Sequence, residues 1–196
     1  MPTLEYFFDF SSPYSYLAST QLEGLAARTG VQIRWRPFLL GALFKAIQTA
    51  PPIYNQARIA YMLKDLGDWS RHYGLPEVRI PETFPFLSVK SLRLALVAEE
   101  QGRMPAFGPR MFRAIWQQGQ DATSEGVLTG VLTQVGLEPA ACFARAEAPE
   151  IKERLKKNGE EALARGVFGA PTFFVGGEIF FGNDRLLFVE QKLKAR

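Results

Sequence analysis

The chain is poor in the residues that most reactions recruit. Its 196 residues hold one cysteine, Cys142, and one histidine, His72. A single thiol excludes an internal disulfide and fits a reducing compartment. Within Ala140-Ala141-Cys142-Phe143 it reads as a small buried hydrophobe. With one imidazole there is no cluster of His, Cys and carboxylates to bind a metal, so none is expected. No apolar run approaches the ~20 residues needed to span a bilayer. The start, Met1-Pro2-Thr3-Leu4-Glu5, lacks the charged, apolar, then small-residue order of a signal peptide. Charge of one sign is scarce too: 23 Lys and Arg against 20 Asp and Glu leave a net charge of +3. That gives no dense basic face for nucleic acid, though slight basicity favours small anionic ligands. These absences predict a soluble, cytoplasmic protein with neither nucleic acid nor membrane as partner.

What is present is an ordinary globular balance, with 47% hydrophobic and 22% charged residues, enough to build a core. Leu4 to Phe10 reads as a strand buried on both faces, with only Glu5 and Asp9 polar. Ser12 then suits an N-cap and Pro13 a first helical position, with Gly30 as the stop. Val31, Ile33 and Trp35 alternate with Gln32, Arg34 and Arg36 as a second strand, giving a right-handed β-α-β opening. At the other end, Thr172–Val175 and Glu178–Phe181 flank Gly176-Gly177, a hairpin signal, before a last helix capped by Asn183 or Asp184. Between them, Tyr54–Tyr73, Ser88–Gln101, Phe107–Gln118, Glu125–Val135, Pro139–Ala146 and Ile151–Arg165 suit helices. Pro51-Pro52 and Pro76–Pro85 are the clearest breakers. The architecture expected is α/β: residues 1–40 plus 166–196 in one sheet domain, interrupted by a helical insertion over 41–165.

Three features bear chemistry. Ser12-Pro13-Tyr14-Ser15 stands, at a strand-to-helix junction, where thioredoxin-like proteins carry Cys-x-x-Cys. Serine there retains the geometry and loses the electron chemistry. Two roles fit Ser12: a helix cap, or a hydroxyl donor to a bound thiolate, which unpaired N–H groups and the helix dipole also stabilise. A nucleophilic serine needs a general base. His72 lies on a predicted surface helix, and there is no Gly-x-Ser-x-Gly turn. The second feature is Gly166-Val167-Phe168-Gly169-Ala170-Pro171-Thr172. Pro171 is either a cis-proline, leaving the Ala170 backbone to pair with a peptide-like ligand, or an ordinary trans proline at a strand entrance. In Phe181-Gly182-Asn183-Asp184-Arg185, a helix start with an amide and a carboxylate can grip an amino-acid end or simply cap itself. Lys45, Thr49 and Arg58, near Pro51-Pro52, can meet a second carboxylate or form a solvated face.

Taken in order, Phe8–Leu17, Gly166–Thr172 and Phe181–Leu186, with Lys90-Ser91-Leu92-Arg93 and Asp121 between them, resemble the 2-hydroxychromene-2-carboxylate isomerases. These are relatives of kappa-class glutathione transferases and DsbA-type oxidoreductases. The resemblance implies a thioredoxin-like domain interrupted by an all-helical one, and glutathione as cofactor. It implies that Ser12 hydrogen-bonds the glutathione sulfur and that Ala170, before cis-Pro171, pairs with the cysteinyl part. Asn183 and Asp184 would hold the γ-glutamyl end, and Arg58 the glycyl carboxylate, where the family usually has lysine. Thr49 departs from an asparagine common in the family; with Lys45 it would line the substrate site.

The implied reaction interconverts 2-hydroxychromene-2-carboxylate and trans-o-hydroxybenzylidenepyruvate in aromatic hydrocarbon degradation. Glutathione would add reversibly to the conjugated acid, the bond would rotate, and elimination would follow. The alternatives are a kappa-type transferase or peroxidase, or a non-catalytic glutathione- or peptide-binding protein. A small aromatic hydroxy or keto acid is the expected substrate, and a homodimer the expected assembly, by analogy.

Overall fold

The computed structural model describes residues 2–50 and 55–195. Pro51-Pro52 and the expected helix start at Tyr54 lie outside them. The opening is β1 (Thr3–Phe8), α1 (Pro13–Thr29) and β2 (Gln32–Pro37), with β1 and β2 parallel and Tyr6 opposite Trp35. The end is β3 (Thr172–Val175), β4 (Glu178–Phe181), a 3₁₀ turn over Asn183–Arg185, and α9 (Leu186–Lys194). β3 runs antiparallel to β1 and β4, which gives the sheet order β2-β1-β3-β4. The two sequence-distant ends therefore meet in one sheet, and β1 lies inside it. This explains why Leu4, Tyr6, Phe7 and Phe8 are all fully buried.

Between the two sheet halves run α2 (Leu40–Ala46), α3 (Gln56–His72), α4 (Val89–Glu100), α5 (Met104–Trp116), α6 (Glu125–Gln134), α7 (Pro139–Ala146) and α8 (Pro149–Ala164). Among the described residues no strand interrupts this series, and no single helix is long and apolar enough to cross a membrane. His72 is exposed on the last turn of α3, and Cys142 is buried.

The core has two parts, one on each face of β1. Tyr6, Phe8, Phe10, Tyr16, Phe112 and Trp116 belong to the larger one, with Phe10 and Phe112 stacked edge-on at 4.7 Å. Each buried aromatic of this kind contributes about 2 kcal/mol by removal from water. Trp116 Nε1 also donates to the Phe10 carbonyl at 2.9 Å, so α5 holds the chain where it leaves β1. Phe7, Phe38, Leu43, Val167 and Phe174 form the smaller part.

Several expectations need correction. β1 stops at Phe8 rather than Phe10, because Asp9 turns the chain: its carbonyl accepts the Ser12 N–H at 3.0 Å. α5 begins at Met104, three residues before the expected start. Pro105 sits in its first turn, where a missing N–H costs nothing, and Pro109 is tolerated further in. Gly108 of that helix lies so close to Trp35 that a Cβ would stand 2.9 Å from the indole. Neither Asn183 nor Asp184 caps α9 through its side chain. Gly182, at φ 105, turns the backbone into the 3₁₀ turn instead, and Arg185 N–H bonds the Gly182 carbonyl at 3.2 Å. α2, seven residues long, matches none of the expected helices.

Candidate active site

The site is built where the C-terminal end of β1 meets the segment entering β3. Ser12 is the N-cap of α1, with extended dihedrals of φ −96 and ψ 112. Its Oγ accepts the Ser15 N–H at 3.1 Å and donates to the Ala170 carbonyl at 3.0 Å. One hydroxyl therefore caps the helix and crosses 158 residues of sequence to the loop before β3. The Ala170-Pro171 peptide is cis; so is Phe84-Pro85, which the sequence did not signal. Thr172 Oγ1 donates to the Gly169 carbonyl at 2.8 Å, and Gly182 N–H bonds the Pro171 carbonyl at 3.0 Å. Gly169 lies against the Phe181 ring, so that a Cβ there would fall 2.6 Å from it and the ring would have to shift.

This corner keeps polar groups in reserve. Pro13 has no N–H, and the Tyr14 and Ala170 N–H groups have no hydrogen-bond partner among the described residues. Asn183 is 3% exposed and its Nδ2 is also unpartnered. Buried donors are nearly always satisfied in folded proteins, so the two at buried Ala170 and Asn183, beside the open first turn of α1, point to something that binds there. With the Tyr14 N–H, all three groups are donors, which suits an anion or a carbonyl. The start of α1 adds the positive end of the helix dipole.

The wall beside α1 comes from α3. Tyr14 OH donates to Asp65 Oδ2 at 2.9 Å, and Tyr73 OH reaches the Asn183 carbonyl at 3.3 Å. Burial pushes the Tyr14 hydroxyl well above its usual acidity range, and the Asp65 carboxylate adds to the shift, so Tyr14 stays a neutral donor. The Asp184 carboxylate adds to the same rise. It also pairs with Arg185 at 3.3 Å.

The remaining candidates sit elsewhere. Arg58 is exposed in the first turn of α3, its N–H bonded to Asn55 Oδ1 at 3.1 Å. Lys45 is exposed in the last turn of α2, and Thr49 is exposed just beyond Gln48, whose φ is 54. Among the described residues no hydrogen bond or ion pair ties these three side chains to Ser12, Ala170 or Asn183. An apolar groove of about 450 Å³ between α2, α4 and α8, lined by Leu43, Val89 and Leu155, does not include Ser12. Nor do the described residues contain a group of three His, Cys, Asp or Glu side chains placed to hold a metal.

Sequence reasoning missed Asp65 and Tyr73, because their partners lie 51 and 110 residues away and neither belongs to a motif. It also gave Asp9 no role. The signal was there: a carboxylate at the end of a buried apolar strand, directly before Ser11-Ser12-Pro13.

Comparison with known proteins gives the geometry a context. Residues 3–194 match the family described as the DSBA-like thioredoxin domain. A 2-hydroxychromene-2-carboxylate isomerase of Sphingobium xenophagum is 36% identical over 195 residues, which is 97% of each chain. A glutathione S-transferase kappa 1 of Caenorhabditis elegans is 26% identical, covering 99% of this chain and 92% of that protein. A solved 2-hydroxychromene-2-carboxylate isomerase superposes with a TM-score of 0.91 at 28% identity, covering 98% of this chain and 95% of that one. The thioredoxin-like α/β fold expected from the sequence is thereby borne out. With its full length aligned, its sheet order and its serine at the first turn of α1, the chain belongs to the 2-hydroxychromene-2-carboxylate isomerase family of DSBA-like thioredoxin-domain enzymes.

Proposed function

We propose that this enzyme is a glutathione-dependent isomerase that interconverts 2-hydroxychromene-2-carboxylate and trans-o-hydroxybenzylidenepyruvate. The observation that carries the reading is the Ser12 hydroxyl set between the first turn of α1 and Ala170, with the Tyr14 and Ala170 N–H groups unpartnered beside it. Glutathione, when bound, supplies a nucleophilic sulfur that adds reversibly to a conjugated carbon, which frees the adjacent bond to rotate.

The chain's own residues do the rest. Ser12 Oγ keeps the Ser15 N–H as donor while its hydroxyl proton swings from the Ala170 carbonyl to the sulfur. Leaving a neutral partner costs about 1 kcal/mol. A hydrogen bond to an anion is roughly twice as strong, so the exchange favours the thiolate. The Tyr14 N–H and the α1 dipole add to it. Ala170 offers its N–H to the cysteinyl carbonyl, next to Pro171, in the manner of an added strand. Asn183 Nδ2 takes the γ-glutamyl carboxylate and Asp184 the ammonium group. Arg58 takes the glycyl carboxylate. Lys45 and Thr49 line the approach of the aromatic acid, with Lys45 meeting its carboxylate.

The kappa-class likeness supports a second reading, in which the same site conjugates glutathione to other electrophiles. Incubating the full chain with hydroxychromene carboxylate, with and without glutathione, separates the two. Isomer formed with free glutathione fully recovered supports the isomerase; a stable thioether supports the transferase; conversion without glutathione removes both. The reading also carries a role in aromatic breakdown, a cytoplasmic location in keeping with one buried cysteine, and a homodimer, which light scattering tests.

A further inference from the structure

Asp9 is sealed beneath this site, with none of its surface exposed. Each of its acceptor atoms has a backbone donor from a different place. Its carbonyl takes the Ser12 N–H at 3.0 Å. Oδ1 takes the Ser11 N–H at 2.9 Å, and Oδ2 takes the Leu40 N–H at 2.8 Å. Leu40 is the first residue of α2, whose own N-cap, Leu39, supplies no side-chain bond. Asp9 therefore caps α2 from 31 residues away. The Ser88 hydroxyl, at the start of α4, lies beside the same carboxylate.

We propose that Asp9 is a positioning residue, which holds the Ser11-Ser12 turn against the start of α2 so that the Ser12 hydroxyl meets the sulfur while α2 presents Lys45 to the aromatic acid. The inference rests on the isomerase reading above. Its physical basis is that two carboxylate oxygens face two backbone N–H groups on separate elements. An amide cannot serve both, because its NH₂ would point hydrogens at one of the donors. Desolvation raises the pKa of the buried Asp9 carboxyl above the usual carboxylate value, and the Ser11 and Leu40 N–H groups pull it back down. Leaving either N–H unpaired lets its element shift, and a shift of even ~1 Å at a reacting group is felt in rate.

Asp9→Asn and Leu40→Pro test the two halves. Proline is tolerated at the first helical position, so Leu40→Pro deletes only the N–H that Oδ2 accepts. The readouts are the acidity of enzyme-bound glutathione, followed by ultraviolet thiolate absorbance, the KM for hydroxychromene carboxylate, and binding of S-methylglutathione as a check on the intact site. In Asp9→Asn the bound thiol is expected to become about tenfold less acidic, with S-methylglutathione affinity unchanged. The sign matters. Mere removal of a nearby negative charge would make the thiol more acidic, not less. In Leu40→Pro, KM rises and thiol acidity stays as in the unaltered enzyme. Unchanged or increased thiol acidity in Asp9→Asn, or unchanged KM in Leu40→Pro, overturns the proposal. Should Asp9→Asn not fold, Leu40→Pro alone decides it. If the unaltered enzyme binds no glutathione, the isomerase reading fails and takes this inference with it; binding without the expected shifts defeats the inference alone.

Discussion

The two ends of β1 carry polar groups in opposite situations. Glu5 enters a closed ring: Arg36 meets it at 3.0 Å and Arg165 at 2.8 Å, while both arginines also bond Glu161. Arg165 also lies over the Phe174 ring at 3.7 Å. Every charge there faces an opposite one, and Arg36 is only 6% exposed. At the other end of the strand, the Ser12 corner leaves the Tyr14 and Ala170 N–H groups and Asn183 Nδ2 without partners. A closed network stabilises a fold and has nothing to offer a ligand. An incomplete one costs stability and keeps donors for something that is bound. The difference separates scaffold from site without appeal to any motif.

The comparison can be broken most severely at the ring. Arg36→Met leaves Glu5 and Glu161 to share Arg165 alone, and losing one member of a pair as buried as Arg36–Glu5 costs about 3 kcal/mol. Denaturant unfolding should show that loss, while glutathione affinity stays as it was; an equal fall in both would merge the two regions. Ser12→Ala should do the reverse. Turnover falls on the order of a hundredfold, as when one donor to a developing anion is removed. Stability drops by only about 1 kcal/mol, the worth of an N-cap. Tyr14→Phe removes the hydroxyl that Asp65 accepts at 2.9 Å. Thermal unfolding should register about 1 kcal/mol, with the sulfur's acidity untouched because the Tyr14 N–H remains.

The smallest effect is a pH dependence away from both regions. Glu190 joins α9 to α1 through Arg28 at 2.9 Å and is also bonded to Lys194. These partners lower its carboxyl to about 2. A depressed folded value means stability that is present above the unfolded carboxyl value, ~4.3, and is lost as pH falls toward the folded one. Acid unfolding of Glu190→Gln should therefore be shallower than that of the unaltered chain in this window. Identical slopes would assign the pair no share.

The sheet was largely legible in the sequence, since its signals are local. Alternation in Leu4–Phe8, the cap and proline at Ser12-Pro13, and Gly176-Gly177 between two aromatic runs are read within a few residues of each other. Where signals are not local, reading failed. α2 is only seven residues long and takes its cap from Asp9, so neither its periodicity nor its boundary is visible. The start of α5 was missed because prolines that normally break helices sit here in positions that tolerate them. At the site, Ser12, Pro171 and Asn183 stand out because motifs mark them, and the fold brings Ser12 and Ala170 into contact. Asp65 and Tyr73 were invisible because only the packing of α3 on α1 and on the 3₁₀ turn gives them a role.

The direct test of the central claim is the acidity of glutathione when bound to the unaltered chain and to Ser12→Ala, followed by thiolate absorbance across pH. The account predicts that the unaltered chain holds the thiol well below the ~8.5 of a free cysteine, and that Ser12→Ala moves it back up. Bound glutathione that titrates as it does in water, or with the same value in both proteins, would contradict it.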